Sequence, residues 1–284
     1  MATSVSNFKM QGIPNANKQV KDYLLERVPL FRQLTELREQ GWQNPAGDQF
    51  FKNHYFFKLM KRIAQDLHSA TDVFSIKTLD NVQPLILDWC MAPGGFLSAA
   101  IYHNRDARCR AFSLPPENGG HKVQLGSTAR ITVDLLDLNL LAADMGVDYC
   151  EHLESPRLTL VQLALGFEHI RSGGKMVILM HKIELWRCVW FLRVFSKFST
   201  VRVFKPTRGY AKRSSYYLKQ AWRAVTFDTE EAYKKLIQLP QAIVEEVLES
   251  FGPEFIKLAT RVWEIQATAL SHAQFIQTHS ISSF

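Results

Sequence analysis

Two adjacent glycines, Gly94 and Gly95, stand between the apolar run PLILDWC and the helical pattern LSAAIYHN, so a short strand turns into a helix on a backbone without Cβ atoms. At the carboxyl edge of an open α/β sheet, such a turn lets a cofactor approach the main chain closely. The same pair can equally serve only the dihedral needs of a strand-to-helix turn. Further along, FKPTRGYAKR carries Lys205, Arg208, Lys212 and Arg213 interleaved with Tyr210. Bases that neutralise phosphate, beside an aromatic ring that stacks on a nucleobase, suit single-stranded RNA; the plainer reading is a solvated basic turn. Lys182 ends the apolar run KMVILMHK, either facing a ligand at the sheet edge or reaching for solvent as a strand-end lysine. Asp137 follows a third apolar run, where a lone aspartate often caps a helix.

Bringing these residues to one edge requires a sheet. PLILDWC, the stretch from Ala107 to Leu114, ARITVDLLDL, KMVILMHK, TVRVF and SSYYLKQ read as strands. The five consecutive apolar residues in KMVILMHK predict a strand buried on both faces. Helical patterns alternate with the strands: PRLTLVQLALGFEHI before KMVILMHK, and Glu184 to Lys197 after it. Such alternation, finished by a hairpin, predicts a mostly parallel α/β sheet with one terminal antiparallel strand. Ahead of it, Val20, Leu24, Val28, Phe31, Leu34 and Leu37 recur at three- and four-residue intervals, predicting helices interrupted at Pro29. Another helix is expected from Tyr55 to Leu67, with Lys58, Lys61 and Arg62 off its apolar stripe. Beyond Arg223, helices are expected from Thr229 to about Leu248 and from Glu254 to about Leu270, with Pro240 and Gly252-Pro253 as breaks. The expected organisation is a helical extension over residues 1–75, the α/β domain over 76–223 and a second helical extension over 224–284.

The chain of 284 residues accommodates one α/β domain of about 150 to 200 residues with about 100 left for such extensions. A composition of 46% hydrophobic and 21% charged residues excludes disordered and fibrous classes. The four cysteines form no CxxC pair or Cys/His ligand set, which argues against a zinc site and a disulfide framework and fits a reduced compartment. The opening residues lack a signal-peptide core, and no run of about 18 apolar residues occurs, so a soluble intracellular protein of cytoplasm or nucleus, without a membrane partner, is expected. A net charge of +7 and a pI near 9.2 suit an anionic partner, although so mild an excess is also ordinary surface composition.

The string Asp88-Trp-Cys-Met-Ala92-Pro93-Gly94-Gly95-Phe96 resembles the D-x-x-x-A-P-G-G-F/W element of FtsJ-like methyltransferases. Three further stretches follow in the family's order: FFKL around Lys58, SGGKMVILMHK ending in Lys182, and FKPTRGYAKRSSYYL, similar to the closing motif K-P-x-x-S-R-x-x-S-E/S-x-Y. FSLPPENGGHK, LAADMGV and RLTLVQLALGFEHIRSGG resemble a fungal branch of the family. The resemblance implies a Rossmann-like class I methyltransferase fold, S-adenosyl-L-methionine as cofactor and RNA ribose 2′-hydroxyls as substrate. By that likeness Asp88, Ala92, Pro93, Gly94, Gly95 and Phe96 wrap the methionine portion, and Asp137 meets the adenine amino group. A bulky side chain at Gly94 or Gly95 is then expected to exclude the cofactor and leave the fold intact.

The family acts through a Lys-Asp-Lys-Glu tetrad. Lys58 and Lys182 match its lysines, and Lys182, ending a strand at the binding edge, is expected to face the hydroxyl. Ser215 stands at the glutamate position, able to hydrogen-bond but carrying no charge. The family strand F-D-L-V-x-x-D-G is shortened here to Val147-Asp-Tyr-Cys-Glu151-His-Leu-Glu154, so Glu151 either replaces the catalytic aspartate or the strand is gone. The expected activity is transfer of a methyl group to RNA ribose; the alternative is a catalytically inactive methyltransferase-like module that binds RNA or protein.

Overall fold

The apolar residues at three- and four-residue intervals near the start of the chain form one face of a helical pair. In the computed structural model Val20, Leu24, Val28, Phe31 and Leu34 are all buried. They belong to α1 (Gly12–Arg27) and α2 (Pro29–Trp42), with Val28 at the junction. Pro29 opens α2, at the one helical position where its missing N–H costs nothing. The structure describes residues 12–42, 53–77, 82–141, 154–180, 182–207, 215–220 and 241–272. The third helix, α3 (Asn53–Thr71), buries Leu59, Ile63, Ala64 and Leu67 and leaves Lys58 and Arg62 exposed, as the stripe predicts.

The α/β order follows. It runs β1 (Leu85–Asp88), α4 (Gly95–His103), β2 (Arg108–Ser113), β3 (Ile131–Leu135), α5 (Leu138–Leu141) and α6 (Glu154–His169), then β4 (Lys175–Met180), α7 (Trp186–Ser196), β5 (Thr200–Phe204) and β6 (Ser215–Gln220). The first three strands pair in parallel in the order β1-β2-β3, which brings their carboxyl ends to one edge. The second group has the order β4-β6-β5, with β6 antiparallel to both neighbours. The predicted terminal antiparallel strand is thus inserted between β4 and β5. No helix among the described residues is long and apolar enough to cross a membrane.

One continuous sheet was the expectation, and the described strands instead form two three-stranded sheets. Among them β1 and β4 share no hydrogen-bonded register. The shortened stretch over 147–154 is where the family strand would fall, and all but its last residue lies outside the described residues. Helices span both sheets. Ile86 of β1 and Val177 of β4 pack on the same cluster of Ala64, Leu67, Val73, Phe74, Ala99 and Ala100. From another element, Gly166 of α6 lies so close to Met176 of β4 that a Cβ would stand 2.7 Å from its Cε, with the Trp89 ring nitrogen 4.0 Å away.

The burial expected on both faces of β4 is not found. Met176, Ile178 and Met180 face a large core shared with α1, α2, α6 and α7, and Val177 faces α3 and α4, but Leu179 is 59% exposed. The C-terminal region also departs from expectation: α8 (Gln241–Ser271) continues through Pro253 instead of breaking at Gly252-Pro253, while residues 229–240 lie outside the described residues. Val244, Val247, Phe251, Phe255, Ala259, Val262 and Trp263 are buried in the same large core. A proline inside a helix costs about 3 kcal/mol. Each fully buried large apolar side chain returns about 1.5–3 kcal/mol, so this stripe outweighs the local penalty.

Packing of α3 on α4 depends on Gly95. A Cβ there would lie 2.6 Å from the Met60 Cβ and 2.7 Å from both the Lys61 nitrogen and the Phe57 carbonyl oxygen, so the space is occupied by another helix, including its backbone. Gly95→Val is therefore expected to lower stability by about 1–3 kcal/mol by forcing the helices apart. Urea unfolding measures this, and an unchanged midpoint would show that α3 does not pack on Gly95.

Candidate active site

β1 ends in Asp88, a half-buried carboxylate whose Oδ1 accepts the Cys90 N–H at 3.1 Å. Burial pushes its pKa up to about 6, and the Cys90 N–H holds it back from rising further. The loop that follows is tied to its surroundings at both ends. Met91 N–H donates to the Phe112 carbonyl at 3.0 Å, and Gln124 N–H donates to the Pro93 carbonyl at 3.0 Å. Trp89 stacks on Phe112 with ring centroids 4.7 Å apart, and the Ala92–Pro93 peptide is cis. Gly94 has φ +106°, a conformation that strains any side chain, and its Cβ direction is closed by Leu125 at 2.9 Å. Phe96 packs between α3 and Phe204.

Asp137 follows β3 at the same edge, half-buried, and its carbonyl accepts the Leu140 N–H at 3.1 Å in the first turn of α5. Two carboxylates thus stand at the ends of β1 and β3. They fit a methyl donor that carries an ammonium group and an adenine amino group, both hydrogen-bond donors. The outward Cβ directions of Gly94 and Gly95 do not contribute to such a cradle, because Leu125 and α3 occupy them. A side chain at Gly95 therefore acts first on helix packing, which corrects the expectation that the fold would be left intact.

Lys182 is exposed two residues beyond β4, and its carbonyl accepts the Leu185 N–H at 3.4 Å. Ser215 opens β6 in register with Met180, so its backbone stands at the same end of β4. Lys58, also exposed, belongs to the turn of α3 that covers Gly95. Glu151, Arg208, Tyr210, Lys212 and Arg213 lie outside the described residues. Lys182 borders a cavity of about 620 Å³ whose other walls include Asn17 and Lys21 of α1, Thr35 and Arg38 of α2, and Glu184.

The segment carrying Lys182 is anchored from the helical extensions. Asn17 Oδ1 accepts the Trp186 N–H at 2.8 Å. Arg38 donates to Glu184 Oε1 at 2.7 Å and to Gln266 Oε1 of α8 at 2.6 Å. Lys205, expected to contact RNA from the basic loop, is instead buried, with 3% of its surface exposed. Burial, and then the Arg38 charge, push its amine down to about 7, against the opposing pull of Glu184. Its position at the end of β5, under the extensions, removes it from the basic surface.

Arg38, Glu184 and Gln266 were not singled out from the sequence. A signal existed: Arg38 continues the stripe of Phe31 and Leu34, and Gln266 continues that of Val262 and Trp263. A polar residue at a core position of an amphipathic helix needs a partner.

Residues 59–222 match the model of the FtsJ-like methyltransferase family, a stretch that begins one residue after Lys58 and closes beyond β6. Solved structures that the chain matches include an rRNA methylase from Streptococcus thermophilus, 12% identical, covering 62% of this chain and 100% of that one with a TM-score of 0.35. Another is human methyltransferase-like protein 13 in complex with SAH, 10% identical, covering 70% of this chain and 93% of that one with a TM-score of 0.33. No curated protein matches the chain. With more than half of its 284 residues matched and the Rossmann-like order of strands and helices in place, the chain belongs to the FtsJ-like methyltransferase family, and its cofactor is S-adenosyl-L-methionine.

Proposed function

We propose that this methyltransferase modifies a ribose 2′-hydroxyl of RNA. The observation that carries the reading is the position of Lys182, exposed just beyond β4 beside the start of β6 and bordering a cavity of about 620 Å³. The bound cofactor supplies an electrophilic methyl group on a sulfonium. With the donor bound, its sulfonium methyl would be the electrophile for the 2′-oxygen, and the Lys182 side chain, as the neutral amine, would take the hydroxyl proton. A hydroxyl is a weak acid, so an amine placed to take its proton in the transition state contributes about 10²- to 10⁴-fold. Asp88 and Asp137 receive the donor's ammonium and adenine amino groups. Lys58 stands with the α3 turn that closes over the start of α4, and Glu151 supplies the acid of the tetrad.

A second reading, a binding module without activity, is favoured by one observation: among the described residues β1 and β4 do not pair with each other, where the family's acid-bearing strand would run between them. Methyl transfer from labelled donor to a mixed RNA pool separates the two. An active wild type whose product resists alkaline hydrolysis at the modified linkage supports ribose methylation. A wild type that binds RNA and transfers nothing supports the module.

In an active protein Lys182→Ala is expected to reduce turnover by at least about 100-fold with donor affinity nearly unchanged, because a base acts in the chemical step. Equal losses in both would give Lys182 a structural role. Glu151→Gln is expected to lower turnover in the same assay, and activity indifferent to it would remove Glu151 from the site.

Asp88 connects the site to stability. Its folded pKa of about 6 lies above the ordinary 3.8, so the folded form retains the proton more tightly; the resulting stabilisation is full below pH 3.8 and is lost as pH rises through about 6. A shift of this size corresponds to about 2–3 kcal/mol. Asp88→Asn should therefore raise the melting temperature at pH 8, change it little at pH 4, and weaken donor binding in a calorimetric titration. A variant no more stable than wild type at pH 8 would show that the Asp88 carboxylate is not buried at a cost.

A further inference from the structure

The cavity beside Lys182 has walls that the family match does not cover, since Asn17, Lys21, Thr35, Arg38 and Glu39 all precede residue 59. We propose that this cavity seats a phosphodiester of the RNA next to the ribose presented to Lys182, so that α1 and α2 form part of the substrate site. The inference rests on the RNA reading above and adds to it where the strand lies.

Size and charge both support this occupant. At about 620 Å³ the cavity falls within the range of roughly 300–1,000 Å³ found for small-ligand sites, enough for a nucleotide unit. Among its charged walls, Arg38 and Glu184 neutralise one another at 2.7 Å. What remains is Lys21 and Lys182 against Glu39, a net positive balance at an open rim. Lys21 and Glu39 are both exposed, so their charges act at the rim without supporting the core. Asn17 has its side-chain oxygen committed to the Trp186 N–H, so its amide N–H groups are what it offers an anion. Behind this wall lies Lys205, whose amine adds positive potential whenever it is protonated.

Phe31 and Leu185 give the floor an apolar surface on which a sugar or base can rest, and the net positive rim disfavours a cationic ligand. A phosphodiester meets it on the side where its neighbouring ribose can turn toward Lys182.

Charge reversal on the full-length protein tests this with a fluorescent, unstructured RNA oligomer titrated at several salt concentrations. Lys21→Glu is expected to weaken binding about tenfold at low salt and to reduce the slope of log affinity against log salt by about 0.7, the value for one phosphate contact on a single strand. Glu39→Lys should strengthen binding. Arg105→Glu, the same change in net charge at an exposed position between α4 and β2, should have a much smaller effect than Lys21→Glu. If Lys21→Glu and Arg105→Glu weaken binding equally, or Glu39→Lys leaves it unchanged, the cavity is not the phosphate site, and the RNA reading stands without it. A wild type that binds no RNA overturns the RNA reading itself. All three residues are exposed, so matching melting curves keep the comparison free of folding defects.

Discussion

Arg38 reaches from α2 to Glu184 at 2.7 Å and to Gln266 at 2.6 Å, and three parts of the chain far apart in sequence depend on that guanidinium. Glu184 is two residues from Lys182, and Gln266 belongs to the last helix. The carboxylate side chain is 11% exposed and the guanidinium 25%, so neither is freely solvated. Forming such a pair from solvated ions gains little net free energy, but removing one partner leaves the other charge stranded and costs about 3–5 kcal/mol. The pair therefore acts as a constraint more than as a source of stability: once α1, α2 and α8 are packed, the segment after β4 has one position in which Glu184 is matched. Asn17 adds a second fixed point through the Trp186 N–H. A lysine just beyond a strand would otherwise sample many positions, and the base proposed for Lys182 would tolerate few.

The two sheets impose a complementary constraint. Helices α3 and α4 contact both β1 and β4, and α6 reaches β4 and Trp89 just beyond β1, so among the described residues helix packing relates the carboxyl ends of the two groups of strands. Gly95 is central to that arrangement because it lets the α3 backbone approach α4. The glycine that sequence patterns assign to cofactor approach thus has a packing role, while Gly94, with φ +106°, has a conformational one. Asp88 remains the group at this turn suited to meeting a ligand directly, and its raised pKa reflects the cost of burying a carboxylate without a cation beside it.

Much of this fold was legible because its signals are local. The three- and four-residue spacing from Val20 to Leu34 marked α1 and α2, and short apolar runs bounded by turns marked every strand from β1 to β6. The features missed are those that depend on a distant partner. Pro253 reads as a break until the buried Phe251, Phe255 and Trp263 are seen to hold α8 straight through it. Leu179 reads as buried until its side chain is found 59% exposed. Lys205 reads as part of a basic surface loop, since nothing in KPTRGYAKR shows that Arg38 and Glu184, both far away in sequence, close over its first residue.

That lysine and Asp88 make two places in the α/β region sensitive to pH in opposite senses. Lys205 has a folded pKa near 7 against an ordinary 10.5, so the unfolded chain binds its proton more tightly across that interval and stability rises as pH climbs from about 7 to 10.5. Asp88 acts the other way at lower pH, losing its contribution between about 4 and 6. Near neutrality the carboxylate at β1 is ionised, while the Lys205 amine is divided between its two states. When protonated, it gives Glu184 a second cation; when neutral, it leaves Glu184 to Arg38 alone. The charge behind the cavity wall therefore changes in the pH range where the site at β1 has already finished titrating, and the two halves of the active edge respond to protons separately.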